Sequence, residues 1–130
     1  MPRENNEHTG LIGLLDIEIV NEEPGRMVMK MPVTEKVLQP FGYLHGGANV
    51  VLAETAASLG AARLIKDDEI TFGMEINANH ISTKKDGVLY AEAEVRHQGR
   101  STQVWNIDIT DENDALVCVS RCTMAVKKKR

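Results

Sequence analysis

The chain of 130 residues is 42% hydrophobic and 26% charged, which suits a single soluble domain with a modest core. Its net charge is −4, and because the last four residues, Lys127-Lys128-Lys129-Arg130, are all basic, the rest of the chain carries −8. An acidic body argues against nucleic acid as a partner, and no apolar run reaches membrane-spanning length without a charge interrupting it.

Residues 1–9 are polar and are expected to be loose, with no apolar leader among them. Leu11, Ile12 and Leu14 predict a short apolar turn or helix packed on the domain. From Leu15 the pattern alternates, with Leu15, Ile17 and Ile19 on one side and Asp16 and Glu18 on the other, as in a half-buried strand. Asn21-Glu22-Glu23-Pro24-Gly25 is a hairpin turn. Met27, Met29 and Met31 alternate in the partner strand, as core filler or as the lining of an adaptable pocket. Thr34 begins a loop to Leu44, with one capped turn at Glu35-Lys36-Val37 and Gln39 directed back towards the helix that follows.

That helix is expected from about Gly46 to about Ile65, roughly 30 Å long. Alanine and leucine dominate it, and both are strong helix formers. Four strands complete the chain. Ile70 to Ser82 is expected to place Phe72, Met74, Ile76, Ala78 and His80 on one face. Leu89, Ala91, Ala93 and Val95 alternate in the second. Trp105, Ile107 and Ile109 mark the third, and Ala115 to Val126 the last, with Lys127–Arg130 a frayed, solvated end. Cys118 and Cys122 lie about 13 Å apart on one strand face, too far to pair, which implies a reduced cytoplasmic protein. The order of elements gives an α+β domain, an antiparallel sheet whose apolar face is covered by one long helix. Residues 1–130 form one domain, with no repeat or linker.

Chemistry concentrates at the helix. From Gly46 to Ala62 the single charge is Glu54. A carboxylate in an apolar helix is costly unless paired or solvated through a cleft, so Glu54 is either a catalytic carboxylate or a residue on the one exposed edge. Gly46 and Gly47 leave the amides of the first turn unshielded. Those groups, with the positive end of the helix dipole, make a place for a developing oxyanion. A tight loop-to-helix turn would need the same glycines.

His45-Gly46-Gly47 followed by Glu54, together with Gln39-Pro40-Phe41-Gly42-Tyr43-Leu44-His45-Gly46-Gly47-Ala48, resembles the hotdog-fold acyl-CoA thioesterases of the 4-hydroxybenzoyl-CoA type. Glu75-Ile76-Asn77-Ala78-Asn79-His80 and Gln103-Val104-Trp105 resemble one bacterial branch. That branch contains 1,4-dihydroxy-2-naphthoyl-CoA thioesterases of menaquinone synthesis and enterobactin-pathway proofreading thioesterases. The resemblance runs from about Gly10 to Val126. It implies a sheet curled round the central helix and hydrolysis of an acyl-CoA, with aromatic acyl groups favoured. It also implies a homodimer with sites at its interface, or a dimer of such dimers.

By the same resemblance Glu54 attacks the thioester carbonyl or activates water, and the Gly46 amide holds the oxyanion. Gln39 and His45 lie beside the thioester, and Ser58, one turn beyond Glu54, positions water or substrate. As plainer roles, His45 would cap the helix and Ser58 would fill a packed contact. Coenzyme A, part of the substrate rather than a cofactor, would meet Ser82, Lys84, Lys85, Arg100 and Ser101, with His80 along its path and Arg96 and Arg121 as further cations. Each could equally be an ordinary surface group, and His80 a satisfied histidine on its strand. His8, His45, His80 and His97 lack metal-ligand spacing, so no metal or other cofactor is expected. Two other readings stay open. One is a non-catalytic acyl-CoA binder, which would not need Glu54. The other is a hotdog dehydratase or hydratase, which Gly-Gly directly after His fits less well.

Overall fold

The computed structural model describes residues 9–130. The expected looseness of the chain's start concerns residues 1–8, outside the described residues; Thr9 already serves as N-cap of the first helix. The elements are α1 (Gly10–Leu14), β1 (Glu18–Glu23), β2 (Arg26–Pro32), a 3₁₀ turn (Glu35–Val37), α2 (Gly46–Ala62), β3 (Glu69–His80), β4 (Val88–Gln98), β5 (Thr102–Asp111) and β6 (Leu116–Lys128). All strands join one antiparallel sheet in the order β1-β2-β4-β5-β6-β3.

α2 lies in the concave face of this sheet and touches β2 through β6. Alanine allows the close approach: Ala53, Ala56, Ala57 and Ala61 are fully buried, as is Leu52. Burying a leucine side chain contributes about 1.5–3 kcal/mol. Opposite them Met27, Met29, Met31, Leu89, Ala91, Ala93, Trp105, Ile107, Ile109, Val117 and Met124 form the inner face of the sheet. The methionines are therefore core residues. Gly60 is more than a tolerated helix glycine. A Cβ there would stand 2.7 Å from Trp105 Cη2, and the indole is anchored by Nε1 donating to Gln103 Oε1 at 2.8 Å.

Several expectations change. The first hairpin turn narrows to Pro24-Gly25, because Asn21, Glu22 and Glu23 pair with Val28, Met27 and Arg26, and β3 ends at His80 rather than Ser82. β1 begins at Glu18 rather than Leu15, because Asp16 takes a left-handed conformation (φ 57°) as the chain leaves α1. α2 ends at Ala62, three residues early, with Arg63 as C-cap. The frayed end is absent as far as Lys128: Lys127 pairs with Ile70, Lys128 with Glu69, and Lys129 N donates to Asp68 O at 2.7 Å. The face assignment of β3 fails at a bulge. Gly73 pairs with Met124 and Glu75 with Thr123, so Met74 is an extra residue. One inserted residue exchanges the faces of everything before it. Gly73 therefore faces α2 with Ile76, Ala78 and His80, while Phe72 turns outward beneath the Lys127 ammonium, 5.7 Å from its ring centre.

Candidate active site

The loop Leu38–Leu44 is a small hairpin closed by a bridge between its end residues. Gly42 has φ +87°, which favours glycine. Gln39 Oε1 accepts from Phe41 N at 2.5 Å and from Tyr43 N at 3.3 Å. Gln39 thus holds its own loop through its carbonyl oxygen, and that oxygen is not directed at the helix start as expected.

His45 is the N-cap of α2, with Nδ1 accepting from Gly47 N at 2.8 Å. Its capping role is real, and it fixes the neutral ring with the proton on Nε2. Ala48 N donates to His45 O. The Gly46 amide, the first of the helix, meets no acceptor among the described residues. An unsatisfied donor at the positive end of a 17-residue helix is a good oxyanion site.

Glu54 is half-buried and carries no hydrogen bond or ion pair among the described residues. Its Oε2 rests on Gly73, where a Cβ would overlap it. Glu54 also borders a cavity of about 340 Å³ lined by Leu11, Ile12, Val51, Thr55, Ser58 and Leu59. Leu11 and Ile12 of α1 form one wall of this cavity and Val51 to Leu59 of α2 the other. The carboxylate sits neither in the core nor in open water but at the mouth of an apolar chamber. Ser58 shares the chamber wall and points its hydroxyl at Met124 Sδ, 3.9 Å away.

The structure does not bring the expected coenzyme A contacts together. Ser82 Oγ donates to Leu116 O at 2.9 Å. Lys84 is committed to Asp111 (3.3 Å) and Glu112 (2.9 Å). The hydrogen bond that Lys84 donates to Glu112 leads in raising the Lys84 pKa. Asp111 is lowered, first by the Ala115 amide, and Glu112, first by Lys84. Lys85 lies over the Tyr43 ring, 4.8 Å from its centre. Lys84 O accepts from Leu44 N, so this loop flanks the start of α2. Arg100 belongs to the other end, in a cavity of about 590 Å³ with Leu64, Lys66, Gln98 and Lys128. Ser101 is beside it, its carbonyl accepting from Val126 N. About 25 Å of helix separates the two groups. Arg96 and Arg121 flank a polar depression on the outer face of the sheet, and Arg121 donates to Asn106.

Two residues were missed in the sequence. Gly73 makes room for the Glu54 carboxylate, and only the bulge reveals it. Asn49, 2% exposed, meets His80 with Nδ2 3.1 Å from Nδ1. Its signal was a lone amide three residues past the helix start, in an otherwise apolar first turn. Cys118 and Cys122 are both free and buried. Burial, with the nearby charges of Glu54 and Glu75, pushes the Cys122 thiol up to about 12.

Residues 41–118 match the model of the thioesterase superfamily. The chain belongs to that superfamily. A 1,4-dihydroxy-2-naphthoyl-CoA hydrolase of Listeria monocytogenes is 62% identical over 121 residues, covering 93% of this thioesterase and 98% of its relative. A mutant thioesterase of Staphylococcus aureus subsp. aureus Mu50 superposes with a TM-score of 0.89 at 49% identity, covering 92% of this chain and 99% of that one. A hypothetical thioesterase of Streptococcus pneumoniae TIGR4, solved with coenzyme A, superposes with a TM-score of 0.80 at 30% identity and 88% coverage of both chains. The sheet wrapped on one helix is the hotdog fold, and the enzyme is a thioester hydrolase. None of the helices among the described residues is long and apolar enough to cross a membrane.

Proposed function

We propose that this thioesterase hydrolyses an aromatic acyl-CoA, of the 1,4-dihydroxy-2-naphthoyl-CoA kind, at a site shared by two copies of the chain. One observation carries the reading: an unpaired carboxylate, Glu54, at the mouth of an apolar cavity of about 340 Å³. The lining is mostly apolar, as an acyl group requires. The name of the Listeria relative points the same way.

The Gly46 amide receives the carbonyl oxygen as it gains charge. That charge arises as Glu54 attacks the carbonyl carbon, forming a mixed anhydride that a water then hydrolyses, or as a water attacks while Glu54 takes its proton; both routes need the ionised carboxylate. Coenzyme A departs as the thiol. Within one chain Glu54 lies about 12 Å along the helix from Gly46, too far for both to grip one carbonyl. β3 is an edge strand of twelve residues and exposes Ile70, Phe72 and Met74. Such an edge invites pairing with a second copy. Two helices antiparallel about a two-fold axis would set one chain's Glu54 by the other's Gly46. The same operation would carry Arg100 and Ser101 of one copy towards the helix start of the other, beside Lys85, to receive coenzyme A.

The test is a hydrolysis screen over hydroxynaphthoyl-, benzoyl-, phenylacetyl- and straight-chain acyl-CoA with wild type and Glu54→Gln. Aryl-CoA is expected to give the highest kcat/KM, and Glu54→Gln to lose at least about a hundredfold in turnover. Palmitoyl-CoA as best substrate refutes the substrate class. Glu54→Gln within a few-fold of wild type removes Glu54 from the mechanism, and a wild type without turnover on any acyl-CoA favours a binding protein.

A further inference from the structure

The arrangement of Asn49 and His80 has no part in the reaction just described, yet it is built at some expense. Asn49 is 2% exposed, and its Oδ1 is buried without a partner. An alanine or leucine there would suit the apolar helix and leave nothing unsatisfied. Among the described residues the single polar contact that Asn49 makes through its side chain is Nδ2 to His80 Nδ1, 3.1 Å.

The direction of that bond decides where the imidazole proton sits. With the amide as placed, the unpartnered atom is a carbonyl oxygen. Turning the amide over would leave both hydrogens of a buried NH₂ unbonded, against one as placed, and orphaned buried N–H groups are rarer than under-used carbonyls. Nδ2 can only donate, so Nδ1 of His80 accepts and the neutral ring carries its proton on Nε2. Nε2 lies 2.8 Å from where a Cβ on Gly46 would be. The edge of the ring formed by Nε2, Cε1 and Cδ2 therefore rests on Gly46, whose own amide meets no acceptor among the described residues, and His80 as a residue remains exposed at the end of β3.

We propose that His80 is a catalytic residue: its Nε2–H, with the tautomer fixed by Asn49, donates a second hydrogen bond to the thioester carbonyl oxygen held by the Gly46 amide. Asn49 is the positioning residue behind it. This rests on the thioesterase reading of the helix start and adds a donor to it. No proton is transferred by His80; it stabilises the charge that Glu54 or water creates on the oxygen.

Two experiments test it. Long-range ¹H–¹⁵N spectra of histidine-labelled protein, in mildly alkaline buffer without substrate, report the tautomer; His80→Gln assigns the signals. The Nε2–H form is expected for wild type, and the Nδ1–H form for Asn49→Asp, whose carboxylate can only accept. An Nδ1–H tautomer in wild type overturns the proposal whatever the activity. Kinetics on the best substrate are then compared for His80→Phe, His80→Gln and Asn49→Asp, each confirmed as folded by its thermal melt. His80→Phe is expected to lose about a hundredfold in kcat, as for one oxyanion donor, with KM within about threefold. His80→Gln, which keeps a donor, is expected to recover part of the loss; if His80→Phe does not fold, this variant against Asn49→Asp carries the comparison. A raised KM with unchanged kcat makes His80 a coenzyme A contact and refutes the proposal. Unchanged kcat in His80→Phe beside a severe loss in Glu54→Gln sinks this proposal alone, whereas a wild type inactive on every acyl-CoA sinks the thioesterase reading with it.

Discussion

Mixing two inactive variants is the sharpest test of a site split between chains. The perturbations are Glu54→Gln, which removes the base or nucleophile, and His45→Ala, which removes the cap that orders the Gly46 turn. Eight residues at about 1.5 Å each separate Glu54 from Gly46 along α2, or about 12 Å. The Glu54 carboxylate lies against Gly73 on the sheet edge, where a second copy would dock. If each site takes Glu54 from one chain and the helix start from the other, a mixed dimer has one site carrying both changes and one carrying neither. Equal random mixing makes about half the dimers mixed, each with one intact site, so roughly a quarter of wild-type activity returns. The assay is release of free coenzyme A thiol after joint refolding, with native mass spectrometry counting mixed dimers. Confirmed mixed dimers with no recovered turnover would refute the shared site and require both groups within one chain.

Gly60→Ala should destabilise the enzyme even though alanine favours a helix by about 1 kcal/mol. The new methyl meets the Trp105 ring at 2.7–2.8 Å, and overpacking costs about 1–3 kcal/mol, so a lower melting temperature is expected in calorimetry; a higher one would show that the ring yields freely. The Lys84–Asp111–Glu112 cluster should leave a signature at both pH extremes. Both carboxyls are lowered in the folded state, so their contribution is present above the unfolded carboxylate range near about 4 and is lost as pH falls through the lowered values. Lys84 is raised, so its contribution is complete below its unfolded value near about 10.4 and is lost as pH rises through the raised value. Lys84→Met should therefore flatten both limbs of the melting-temperature profile, and a profile parallel to wild type would count against the cluster. Cys122 and Cys118, buried and raised, should resist iodoacetamide in the native protein and react on unfolding; rapid native labelling in peptide mass spectra would contradict that burial.

Where a signal was local, it could be read from the chain alone. The alternation in β2, β4 and β5, the alanine-rich run of α2, the Thr34 cap and the glycine turns come from neighbouring residues, whose spacing fixes period and direction. So does the juxtaposition of His45, Gly46 and Glu54, all on or beside one helix. What failed or stayed hidden depends on residues distant in sequence. The bulge at Met74 sets β3 against β6 with Gly73 facing Glu54, and no pattern within β3 records either partner. Gly60 reads as a weak helix position until Trp105, 45 residues later, is laid across it. Gln39 and Lys84 look free for substrate in the sequence because their hydrogen bonds are made to a loop and to a hairpin that only folding brings near. Asn49 looks like one scattered polar residue until β3 returns His80 to the start of the helix. The sequence determined the reactive groups; tertiary structure decided which of them are already engaged, because each hydrogen bond made within the fold is one no longer offered to a substrate.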